Sequence, residues 1–124
     1  MTNLPLHHIG IVVPNEEVFL HFCKVFNLQE DYRGYVTEYA ALCIFMKGNG
    51  KSPIEFVIPN GGKLKEFNDG KGGLHHIAFE TSSIAETKKE LEPYGVEFIQ
   101  PEPVKGAGSF IVNFTRPKST DRIL

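Results

Sequence analysis

A chain of 124 residues with 41% hydrophobic and 23% charged residues has the composition of an ordinary globular domain, which excludes a disordered or membrane-embedded protein. Its formal charge of −2 at pH 7 offers no surplus of Lys and Arg to neutralise phosphates, so no nucleic-acid partner is expected. The opening MTNLPLHHIGIVV lacks a basic region and its apolar run is too short for a signal peptide or a spanning helix; a cytoplasmic protein with no membrane partner is expected.

The first element reads as a strand. A period of two puts His8, Gly10 and Val12 on one face and Ile9, Ile11 and Val13 on the other. Asn15 then caps a helix whose first turn carries Glu16 and Glu17 and whose apolar stripe is Val18, Phe19, Phe22, Val25 and Phe26. Three strand patterns follow, over 30–33, 36–46 and 53–58, the last two joined by a hairpin at Gly48, Asn49 and Gly50. The run Gly50, Lys51, Ser52 imitates the end of a phosphate-binding loop, but Phe45 stands where that loop needs its first glycine. The order is β-α-β-β-β.

Residues 60–73 are rich in glycine and read as a connection without an element of its own. Leu74, His75, His76 and Ile77 then repeat Leu6, His7, His8 and Ile9, 68 positions further on. A capping box at Ser83 and Glu86 opens a second helix with Ile84, Thr87 and Leu91 facing inward, ended by 93–95. Strand patterns at 96–99 and 110–115 follow in the second copy, and a last one begins at Arg122. One domain over 1–124 is expected, with module 1 at about 5–59, the connection at 60–73 and module 2 at about 74–124 with its last strand incomplete. Cys23 and Cys43 have no metal-site spacing and read as two reduced core thiols.

Alternation places His8 on the face away from the helix, with Gly10 clearing space beside it. The repeat places His76 with Ala78 and Glu80 in the same way, while Ile77 and Phe79 pack inward. In the strand over 54–58, Glu55 projects from a segment otherwise built for burial, and a buried lone carboxylate is costly unless it is paired or bound to a cation. Two imidazoles and a carboxylate suit one divalent ion such as Zn, Fe, Co, Ni or Mn. A single strand histidine is more often structural than a ligand; the duplicated placement with Glu55 favours the metal reading. His7 and His75 are expected on the helix-facing or flanking side with no ligand role, and His21 on the helix surface.

The segments LHHIGIVV, IEFVIP and GLHHIAFE resemble the ligand-bearing strands of the vicinal oxygen chelate superfamily, which includes glyoxalase I, methylmalonyl-CoA epimerase, extradiol dioxygenases and the fosfomycin and bleomycin resistance proteins. The resemblance covers nearly the whole chain, and GAGSFIVNFTRPKS is similar to the stretch before the last strand in the epimerases and some glyoxalase-like members. It implies an α+β fold in which two βαβββ modules form a cupped, mostly antiparallel sheet around a metal site. It implies metal ligation by His8, Glu55 and His76, and a general base at Glu38 at the start of the long strand, sharing a face with Ala40, Leu42 and Ile44.

The implied activity is metal-dependent proton transfer next to a carbonyl, of epimerase or lactoylglutathione lyase type. Lys105, Arg116 and Lys118 would meet the phosphates of a CoA thioester or the carboxylates of a glutathione hemithioacetal. The alternatives are a metal-free binding protein of the bleomycin-binding type and a dioxygenase-like member. A homodimer is expected. The family pattern also holds a fourth ligand, a Glu in the last strand, which by spacing falls two residues past Leu124; the expectation is that the natural chain continues past this point, the alternatives being three protein ligands with added water or a substitute carboxylate such as Glu80 or Glu38.

Overall fold

The computed structural model describes residues 3–124. Strand β1 (Leu6–Val12) leads into helix α1 (Glu16–Phe26), then β2 (Glu30–Val36), β3 (Ala41–Met46) and β4 (Ile54–Pro59). Helix α2 (Gly62–Glu66), strand β5 (Gly73–Phe79) and helix α3 (Ile84–Leu91) follow, and the short strands β6 (Val104–Lys105) and β7 (Ile111–Val112) pair as a ribbon. The main sheet runs β2-β3-β4-β1-β5. Only β1 and β4 are parallel; the other three pairings are antiparallel, so the α+β, mostly antiparallel architecture is as expected.

Local chemistry explains the boundaries. The Asn15 side chain accepts a hydrogen bond from the Val18 N–H at 2.9 Å, and Asn27 closes α1 in the left-handed region. Between β3 and β4, Asn49 and Gly50 have φ of 49° and 84°, the pair of positive values a tight hairpin turn requires. Ser83 caps α3 by accepting from the Glu86 N–H, but the reciprocal half of the box is made by Thr81, whose hydroxyl accepts from the Ser83 N–H.

Strand alternation splits the core into two faces. Val13, Ile44, Met46 and Phe56 pack against Phe19 of α1, with Phe22 and Cys23 at the margin. Their neighbours Val12, Cys43 and Val57, with Val36 and Ala41, form a cluster on the opposite side, joined by Tyr39, Leu64, Phe67 and Ala107. The stripe on α1 is narrower than the sequence suggests: Val18, Val25 and Phe26 are exposed, and Phe19 is the helix's one fully buried side chain.

Three further expectations are corrected. The pattern over 36–46 is not one strand, because a 3-10 turn (Thr37–Tyr39) ending in left-handed Ala40 separates β2 from β3. Glu38 lies on that turn and shares no strand face with Leu42 and Ile44. The connection over 60–73 holds α2, which glycine content conceals; Leu64 and the following Phe67 anchor it to the second cluster. Beyond α3 the regular structure is sparse: Phe98 and Thr115 form an isolated bridge, and the Ile77 N–H donates to the Leu124 carbonyl at 2.9 Å.

Candidate metal centre

His8 lies on β1, Glu55 on β4 and His76 on β5, three strands adjacent in the sheet. Gly10 is their common neighbour, paired with Glu55 on one side and with His76 on the other. A Cβ on Gly10 would run into the His76 imidazole, so the glycine is what lets that ring lie across the strand. The same economy appears two pairs away, where His8 faces Ala78. The small residue two places after each histidine serves the histidine of the other copy.

All three side chains are buried, and their donor atoms converge. His8 Nε2 stands 3.3 Å and His76 Nε2 3.1 Å from Glu55 Oε1, and the two Nε2 atoms are 3.2 Å apart. Donors bonded to one ion at about 2.0–2.2 Å stand roughly 3.0 Å apart at right angles and roughly 3.5 Å apart in a tetrahedron. The nearly equilateral triangle therefore fits three adjacent vertices of either geometry and leaves the outer positions free. Burial pushes the Glu55 carboxyl up, yet the hydrogen bonds from His76 and His8 outweigh it and hold the group down at about 2. The site presents a true carboxylate at neutral pH, as a cation ligand must. The residues present fit a divalent ion.

Aromatic rings wall the triangle. Phe45 stands edge-on to His8 at 4.9 Å between centroids, and Phe114 does the same to His76 at 5.0 Å. Glu38 is exposed on its turn and lines the same cavity as the triangle. Beside it, the buried Tyr39 hydroxyl has no hydrogen-bond partner among the described residues, a polar group that sequence reasoning passed over. Lys105, Arg116 and Lys118 are exposed and border this cavity, Lys105 on β6, Lys118 on the 3-10 turn at Pro117–Thr120 and Arg116 just before that turn. His21 is exposed on α1, as expected.

His7 and His75 are not on the helix-facing side. His7 stacks its edge against Phe45 and His75 against Phe67, and both line the cavity beside their neighbours. Burial, with the adjacent His76, pushes the His75 imidazole down to about 4.

Residues 7–114 match the Glyoxalase/Bleomycin resistance protein/Dioxygenase superfamily. The chain belongs to that superfamily. It is 31% identical to a mitochondrial methylmalonyl-CoA epimerase of Dictyostelium discoideum, over 96% of this chain and 74% of the relative. Among solved structures, a hypothetical protein of Bacillus halodurans C-125 aligns over 98% of this chain and 91% of its own, with 28% identity and a TM-score of 0.83. A methylmalonyl-CoA epimerase of Mycobacterium tuberculosis aligns over 99% and 87% with a TM-score of 0.87; at 18% identity that likeness concerns the fold. Among the described residues no helix is long and apolar enough to cross a membrane.

Proposed function

We propose that this chain is a metal-dependent epimerase of an acyl-CoA thioester of the methylmalonyl-CoA kind, moving the proton on the carbon next to the thioester carbonyl. The observation that carries the reading is the buried His8–Glu55–His76 triangle, which opens into the cavity that Glu38 lines. The relationship to the epimerase of Dictyostelium discoideum supports the choice of reaction within the superfamily.

The difficulty of such a reaction is the negative charge that develops on the carbonyl oxygen as the proton leaves. A divalent ion held by His8, Glu55 and His76 would supply a Lewis acid for that oxygen. Glu38, on a turn and reachable by solvent and substrate, takes the proton as a carboxylate base. The Phe45 and Phe114 rings exclude water around the triangle and so strengthen the electrostatics inside it. Lys105, Arg116 and Lys118 meet the phosphates at the far end of a CoA carrier, where exposed cations serve without the expense of desolvation.

The test is exchange of the α-proton of methylmalonyl-CoA in deuterated water, followed by mass spectrometry, with protein loaded with cobalt. Wild type exchanges deuterium into the substrate. Glu38→Gln keeps its cobalt and loses roughly 10²–10⁴-fold in exchange rate, the range of a lost general base. Absence of exchange by cobalt-loaded wild type would overturn the proposal.

A further inference from the structure

The pairing of β1 with β5 contains two irregularities, and both fall on a histidine. Leu6 pairs with Phe79 and His8 with Ala78, so β1 spends one more residue than β5 over this step, and the extra residue is His7. Gly10 pairs with His76 and Ile11 with Leu74, so here β5 carries the extra residue, His75. Between the two bulges lie three regular pairs centred on Ile9 and Ile77. The doubled His-His of the sequence is therefore, in space, a pair of bulges related by the same internal symmetry as the histidines they precede. An extra residue in a strand breaks the alternation of faces and re-aims a side chain.

The re-aimed rings end where they touch their neighbours. His7 Nδ1 lies 2.8 Å from His8 Nδ1, and His75 Nδ1 lies 2.8 Å from His76 Nδ1. At that distance one nitrogen carries the hydrogen and the other accepts it. The opposite nitrogens of His8 and His76, the Nε2 atoms, converge on Glu55. A neutral imidazole that offers Nε2 as a lone pair must hold its hydrogen on Nδ1, and among the described residues the polar atom at Nδ1 in each case is the preceding histidine's Nδ1.

We infer that His7 and His75 are positioning residues: each accepts a hydrogen bond from Nδ1–H of the next histidine, and so fixes the ring and tautomer that present His8 and His76 Nε2 to the ion. This rests on the metal reading given above. Each acceptor is itself clamped by rings, His7 by Phe45 and Phe110 at 6.2 and 5.9 Å between centroids and His75 by Phe67 and Phe114 at 4.9 and 6.4 Å. Orienting partners of this kind typically change metal affinity by about 10–100-fold when removed.

Two measurements test it. In zinc-loaded protein labelled with ¹⁵N at histidine, where the ion occupies Nε2 of His8 and His76, long-range proton–nitrogen spectra are expected to show hydrogen on Nδ1 of His8 and His76, none on Nδ1 of His7 and His75, and a nitrogen–nitrogen coupling across each pair. Hydrogen on the Nδ1 of His7 or His75, pointing the bonds the other way, would overturn the inference. Zinc affinity is then measured by competition with a chelator for His7→Phe, His75→Phe, His7→Asn and His75→Asn. Phenylalanine has the ring and no acceptor, and is expected to lose about 10–100-fold. Asparagine retains an acceptor and is expected to stay within a few-fold of wild type. Equal loss in both series, with far-ultraviolet spectra unchanged, would also overturn it. If wild type itself takes up no zinc, the metal reading fails and the inference with it, whereas zinc uptake with equal loss in both series overturns the inference alone.

Discussion

Gly10 and His76 are directly paired across the β1–β5 ladder, and the space a side chain would need at Gly10 is the space the His76 imidazole occupies. Gly10→Ala is therefore expected to push the His76 ring away from Glu55 while leaving the helix-side core intact. Zinc affinity measured by chelator competition falls by at least about 10-fold, and stability to urea falls by about 1–3 kcal/mol, the range for an inserted methyl with no room. Unchanged zinc affinity would show that His76 does not need that space.

Glu55 is the one carboxylate of the triangle, and its character can be separated from its shape. Glu55→Gln keeps an oxygen at the same reach and should retain zinc with reduced affinity. Glu55→Leu fills the position without a donor and should abolish stoichiometric binding, leaving His8 and His76 as a two-point site. Elemental analysis after dialysis reads both. Because Glu55→Leu removes one partner of a buried ionic site and leaves His8 and His76 without theirs, far-ultraviolet spectra are recorded beside the metal analysis, and loss of zinc by folded protein is the expected result.

Tyr39 supplies a pH signature. Burial, with the Glu38 carboxylate beside it, pushes its phenol up to about 12 from an ordinary value of 10.0. Between these values the folded protein holds a proton that the unfolded chain has released. The contribution of Tyr39 to stability is thus complete below pH 10 and is lost as pH rises towards 12. Ultraviolet titration of the four tyrosines should show a late phase that disappears in Tyr39→Phe and moves to lower pH in Glu38→Gln. A late phase indifferent to Glu38 would place that carboxylate away from the phenol.

The thiols offer a simpler check of the core. Burial pushes the Cys43 thiol well up, and the nearby Glu55 carboxylate adds to it; Cys23 is raised by burial and by Glu30 but remains partly exposed. An aromatic disulfide reagent should modify Cys23 in the native protein and Cys43 only on unfolding. Reaction of both at one rate would contradict the packing of β3.

Much of the centre was legible in the residues. The repeat of Leu-His-His-Ile, the small residue two places after each second histidine, and the charged intruder in the strand over 54–58 all point to His8, Glu55 and His76, and these converge. What stayed hidden has physical causes. Strict alternation assigns His7 and His75 to the far face; a bulge suspends alternation for one residue, and nothing in a local window announces it. Ala40 carries no glycine-like mark, yet its left-handed backbone ends the turn that takes Glu38 out of β3. Five residues are enough for α2 because Leu64 and Phe67 have a cluster to land on, and that cluster is assembled from strands distant in sequence.

The order of the sheet also has a kinetic meaning. β1 is made first, yet both of its partners come later: Ile9 pairs with Ile54 in parallel and with Ile77 in antiparallel. Hairpins β2–β3 and β3–β4 can close locally, whereas β1 must wait for two distant strands, and such non-local closures are slow. His8, Glu55 and His76 sit on the three strands joined in those last steps, so their triangle does not exist in any partly folded chain that lacks β1. An ion gripped there binds only the finished sheet, and pulling β1 out would mean letting go of it first. The chemistry of the cup and the lifetime of the fold would then be secured by the same three side chains.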